Sequence, residues 1–184
     1  MRAIAERRMC YDTTGLSVTA LVLVCQTQRI GLKQWKERAV IFHINRLTFK
    51  VGLSEEQRRA GVEMLRQSGA ANPVVKSYVV GAELGGEFDY GAVYVVENLD
   101  GYWQYLEHPA HVHTELTGME LIERFEAVDI TDSDDPEIGE EIARLQVRHM
   151  EAHPEIAALV AEVPSFTVPD GGDQPAETGG QAQA

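Results

Sequence analysis

Cysteine is almost missing from this chain. Cys10 and Cys25 are the only two in 184 residues, and none follows position 25. Neither a disulfide framework nor a thiolate site can therefore lie in the rest of the sequence. The two are expected to be free thiols in a reducing cytoplasm. Positive charge is also scarce: 16 Lys and Arg stand against 29 Asp and Glu, a net charge of −13. A field of that sign repels phosphate backbones, so nucleic acid is not an expected partner. Long apolar runs are missing as well. The segment "LSVTALVLVC", residues 16–25, has about half the length that a bilayer span needs. Arg2, Arg7 and Arg8 precede it as in a signal peptide, but Glu6 and Asp12 interrupt and no A-x-A site follows. Membrane is thus not an expected partner, and the location expected is the cytoplasm.

The charge that is present is unevenly spread. Residues 1–40 hold seven Lys/Arg against three Asp/Glu, and residues 41–184 hold nine against twenty-six. Two different objects are expected from such a break. Residues 1–39 are read as an extension, disordered or a start-site artefact, with Val40 standing at a start codon read as internal. Residues 40–131 are read as the domain and 132–163 as a helical extension. The Gly/Pro/Ala/Gln-rich residues 164–184 are read as a disordered tail.

Within the domain the patterns are regular. "VIFHINRLTF" from Val40 to Phe49 is rich in β-formers and reads as a strand, with His43, Asn45, Leu47 and Phe49 on one face. Ser54 and Gln57 form a capping box ahead of an amphipathic helix that Gly69 is expected to stop. Two Val/Tyr-rich segments on either side of "GGEFD" read as a hairpin. "DGYWQYLEH" reads as a short helix capped by Asp100, and Pro109 fits the first turn of another. "ERFEAVDIT" reads as the last strand. The order β-α-β-β-α-α-β is the split βαβ of the ferredoxin-like α+β class, with an antiparallel sheet. Such a sheet has helices on one face only, so a homodimer with sheets back to back is expected. Beyond Thr131, Ile138, Ile142, Leu145, His149 and Met150 make an apolar helical stripe, and Pro154 opens a further short helix.

The stretch "YWQYLEHPAHVHTEL", residues 102–116, gathers three histidines. His108, His111 and His113 have the H-x-x-H-x-H spacing, yet His113 lies far around the helix from His111, so no metal is expected. Proton transfer is the sharper reading. Tyr105, His108 and His111 can meet across the bend at Pro109, with His43 reaching the same place from the first strand. The plainer reading, in which these histidines cap or pack helix ends, stands beside it.

The segments "HINRLTFK", "DGYWQYLEHPAHV" and "FEAVDIT", and above all the Y-x-x-H-P-A-H pattern, resemble the stress-responsive dimeric α/β-barrel family, Dabb. The resemblance covers roughly residues 40–131 and is similar in motif to the family's olivetolic acid cyclase type of polyketide cyclase. It implies His111 as general base and Tyr105 as the residue that positions it or the substrate. It implies a substrate site at His43, with His108 and Trp103 also assigned to substrate. The implied reaction is a cofactor-free aldol closure of a poly-β-keto compound, a C–C lyase-class step. Ala92 stands where that cyclase type has a further pocket histidine, so the substrate does not carry over. A non-catalytic stress-response or ligand-binding dimer is the alternative, and a cofactor-free monooxygenase a lesser one.

Overall fold

The computed structural model describes residues 39–168. The expectations for residues 1–38 and 169–184 lie outside the described residues. Ala39, expected in the extension, is buried, and its carbonyl accepts a hydrogen bond from the Asn98 N–H, so it belongs to the fold.

Strand β1 (Val40–Phe49) alternates buried and half-exposed residues, as its sequence pattern requires. Helix α1 (Glu55–Ala71) starts at the capping box: Ser54 Oγ accepts from the Gln57 N–H, and Gln57 Oε1 accepts from the Ser54 N–H. Gly69 does not stop it. The helix runs on to Ala71, and Gly69 sits under the ring of Tyr78, where a Cβ would lie 2.6 Å from the ring carbon Cγ. Its lack of a side chain serves packing rather than termination.

Strands β2 (Ser77–Ala82) and β3 (Tyr90–Glu97) form the expected hairpin. Helix α2 (Asn98–Leu106) begins two residues before the expected cap. Asn98 adopts φ 55°, a left-handed conformation that asparagine tolerates, and its Oδ1 accepts from the Gly101 N–H. That bond takes the capping role expected of Asp100. Helix α3 (Pro109–Gly118) follows, then a 3₁₀ turn (Met119–Leu121) and β4 (Ile122–Thr131). Helices α4 (Ile138–Ala152) and α5 (Pro154–Ala161) match the stripe and the Pro154 start. A short strand β5 (Ser165–Thr167) ends the described chain.

The sheet order is β2-β3-β1-β4-β5. The first four strands are antiparallel to their neighbours and β5 runs parallel to β4. This is the ferredoxin-like split βαβ. The fifth strand is an addition, formed by residues that composition alone assigned to the tail. Phe166 of β5 stacks on Phe125 of β4, with ring centroids 5.1 Å apart. Register decides the chemistry of the helix-facing side. Tyr78, Tyr94, His43 and Asp129 lie in one cross-strand row, which brings His43 beside a carboxylate. Among the described residues, no helix is long and apolar enough to cross a membrane.

Candidate functional site

A cavity of about 650 Å³ lies between the helix-facing side of the sheet and the helices. The first strand lines it with His43, Asn45, Leu47 and Phe49, and α2 and α3 contribute Tyr105, His111 and Glu115. The helical extension closes it from the same subunit: Val147 and His149 of α4, Val160 of α5 and Phe166 of β5 also line it. Its walls are mostly apolar, with a few polar groups among them, the usual make-up of a small-molecule site.

Each polar group has a traceable position. The His111 Nδ1 lies 3.0 Å from the carbonyl oxygen of Leu106. A carbonyl only accepts, so Nδ1 carries the proton and Nε2 of the neutral ring holds the lone pair. Glu115, one turn further along α3, places Oε2 3.2 Å from the same Nδ1. His43 repeats the arrangement. Its Nδ1 donates to Asp129 Oδ1 at 2.9 Å, and Asp129 Oδ2 accepts from the Tyr102 hydroxyl and from Gln146 Nε2. Two histidines, each paired with a carboxylate, thus line one cavity. The Tyr105 ring stands between them, with centroids 5.5 Å from His43 and 4.6 Å from His111.

Glu115 also joins the extension. Its Oε2 accepts from His149 Nε2 at 2.8 Å, and His149 Nδ1 donates to Glu107 Oε1 at 2.7 Å. His153 Nε2 lies 3.4 Å from the other oxygen of Glu107. Burial alone would raise the Glu115 carboxyl, but the His111 and His149 rings beside it bring it down to about 2. Burial opposes the charge on His149 too, yet Glu115 and Glu107 hold its value above the ordinary one. Burial pushes the Tyr102 and Tyr105 hydroxyls well above the usual phenol range, so both stay protonated.

Four buried side-chain atoms have no hydrogen-bond partner among the described residues: Asn45 Oδ1, Ser68 Oγ, the Tyr105 hydroxyl and Gln146 Oε1. All four residues line the cavity. Orphaned buried polar atoms are rare and costly, and here all four belong to residues around one void.

Donor atoms of two trios, Glu107–His149–His153 and His111–Glu115–His149, come within 4.8 Å of one another. These are zinc-type donors, but His149 is common to both trios and its two nitrogens are each bonded to a carboxylate.

The family model of the stress responsive A/B barrel domain, Dabb, matches residues 41–132. The chain belongs to the Dabb family. Among curated proteins none matches it in sequence. Solved structures that align with this Dabb chain include a dimeric ferredoxin-like protein of unknown function from Thermobifida fusca. It is 26% identical over 51% of this chain and 92% of that one, with a TM-score of 0.47. A Dabb-family protein from Mesorhizobium loti is 17% identical over 50% and 96%, with a TM-score of 0.45. Hydroxynitrile lyase from Passiflora edulis is 14% identical over 52% and 94%, with a TM-score of 0.47.

Of the residues singled out in the sequence, the Dabb fold brings His43, Tyr105 and His111 to one cavity. It sends the others elsewhere. His108 is the cap of α3, its Nδ1 accepting from the Ala110 N–H, and it does not line the cavity. Trp103 faces away, stacked under the Arg148 guanidinium at 3.9 Å. His113 is exposed, so the three clustered histidines point to three places. Ala92 is fully buried in β3 opposite Asn45. Glu115, Asp129, Gln146 and His149 were not singled out. Two signals for them existed: Asp129 interrupts the apolar face of its strand, and His149 sits inside an apolar helical stripe.

Proposed function

We propose that this Dabb protein binds a largely apolar, oxygen-bearing small molecule of polyketide type in the cavity. His111 Nε2 then removes a proton from a carbon beside a carbonyl, as in an aldol-type cyclase or lyase. The observation that carries the reading is the fixed tautomer of His111. Its Nδ1–H is held by the Leu106 carbonyl and Glu115 while the ring borders an apolar void. A base in that setting needs no metal: placement, a lone pair and a protonated tyrosine near the developing enolate suffice. Tyr105, whose ring lies against His111 and whose hydroxyl has no partner among the described residues, would supply the last of these once its buried hydroxyl turns to the substrate. The protein is read as a cytoplasmic homodimer, which the uncovered apolar sheet face supports.

The test uses 1-phenyl-1,3-butanedione in D₂O, with loss of its methylene protons followed by NMR. Wild-type protein should accelerate exchange over buffer. His111→Gln keeps a hydrogen-bond donor for Leu106, so it should melt like wild type. It should lose about a hundredfold or more of the catalysed rate, the usual weight of a general base. A folded His111→Gln variant with full exchange activity would sink the assignment.

One observation also favours plain ligand binding. The four orphaned polar atoms, two of them amide oxygens that only accept, suit a hydroxyl-bearing guest whether or not a proton moves. Saturable binding of the diketone without accelerated exchange would select that reading.

A further inference from the structure

We infer that His149, in the helical extension beyond the family domain, is a positioning residue for the base: it holds Glu115 against the Nδ1–H of His111 and thereby keeps Nε2 as the proton acceptor. The inference rests on the reading of His111 as that base.

The geometry is a buried array running outward from the cavity. His111 meets Glu115, Glu115 meets His149 at 2.8 Å, and His149 meets Glu107 at 2.7 Å. Four titratable groups face His149 among the described residues. Glu115 and His111 face it from α3, Glu107 from the end of α2, and His153 from the end of its own helix. Carboxylates only accept when ionised, so between Glu115 and Glu107 both ring nitrogens of His149 carry protons and the ring is a cation. Counting charges, two carboxylates and one imidazolium leave the array at −1 when His111 is neutral. One proton on His111 brings it to zero. The array is therefore electrostatically ready for that proton.

Packing alone does not call for a histidine here. The stripe of α4 is otherwise apolar, with Ile138 and Ile142 buried in it. Apolar groups in place of the whole ion cluster would dock the helix as well, whereas removing His149 alone takes a cation away from the buried Glu115 carboxylate. What methionine could not do is give Glu115 the second hydrogen bond and the second imidazole that hold it in place beside His111.

His149→Met is accordingly the variant to make, in the full chain, with ¹⁵N-labelled histidine. Wild type should show His111 in the Nδ1–H form. The folded variant should show a larger share of the Nε2–H form than wild type, lose about tenfold in diketone exchange and move the acid limb of its pH–rate profile to higher pH, because a cation near His111 is gone. Glu107→Gln, at the outer end of the array, should shift both readouts in the same direction by less. It carries the test if His149→Met fails to fold. Unchanged tautomer and unchanged acid limb in the folded variants would reduce His149 to packing. If wild type catalyses no exchange, the base reading fails, while the tautomer comparison still decides whether His149 positions His111. Stoichiometric zinc binding by wild type at micromolar affinity or tighter, with loss of the His111 Nδ1–H signal, would also overturn the inference.

Discussion

At the scale of single residues, Tyr105 is the clearest case of a group whose surroundings suit a guest better than the empty protein. It is fully buried, packed against His43, Tyr94 and His111, and its hydroxyl has no partner among the described residues. A buried unsatisfied hydroxyl costs about 1–3 kcal/mol. Tyr105→Phe should therefore raise the melting temperature of the ligand-free protein, by an amount corresponding to about 1 kcal/mol, and weaken diketone binding. Calorimetry on both proteins checks both halves; a variant that is less stable and binds as before would show that the hydroxyl has a partner in solution. Gly69 supplies the opposite case. With the Tyr78 ring 2.6 Å from its absent Cβ, Gly69→Ala should destabilise despite alanine's better helix propensity. Tyr78→Ala in the same chain should recover that loss in denaturant titrations. That His43, Tyr105 and His111 meet at one cavity was legible in the sequence, because a motif or a strand face marked each of them. His108 and Trp103 lie off the cavity because proximity along the chain is not proximity in space: Pro109 starts a new helix, and His108 just before it caps that helix while His111 two residues after it lines the cavity.

At the scale of elements, those with strong local signals were read closely. The β1 limits and the Ser54–Gln57 box follow from alternation and capping chemistry alone. β5 was not legible. Three residues, Ser-Phe-Thr, pair in parallel with a strand about forty positions earlier, and no local pattern encodes such a contact. The array that ties α2, α3 and α4 together was likewise hidden, since His149 lies 34 residues beyond Glu115 and 42 beyond Glu107. It should be visible in the pH dependence of stability. Glu115 falls from an ordinary 4.5 to about 2 in the fold, so its contribution is present above about 4.5 and is lost as pH falls toward 2. His149 rises above its ordinary 6.5, so its contribution is complete below 6.5 and is lost as pH climbs through its folded value. The melting temperature should therefore peak between these limits, and His149→Met should flatten the alkaline decline. Equal alkaline loss in both proteins would place the titrating group elsewhere.

At the scale of the whole molecule, the sheet has one face that the described chain leaves bare. Cross-strand register puts Val79, Val93, Ile44 and Val128 in one row of that face, with Phe42 between Val95 and Ile130 in the next. Val79 is 63% exposed and Ile130 55%. A contiguous apolar surface on a sheet is an interaction site or an aggregation hazard, and a second copy is the partner always at hand. At one end the rows give way to Arg46, which bonds both oxygens of Glu83 and one of Glu126, a polar border to the patch. In a two-fold interface each substitution occurs twice, so Val128→Glu would set new negative charges into an interface already carrying a net negative chain. Juxtaposed like charges of this kind cost several kcal/mol. Wild type should sediment as a dimer at micromolar concentration and Val128→Glu as a monomer. The cavity opens on the other side of the sheet, so the monomeric variant should still bind the diketone. A wild-type monomer would mean that the bare face has some other cover, and loss of binding in the Val128→Glu monomer would mean that the partner shapes the site.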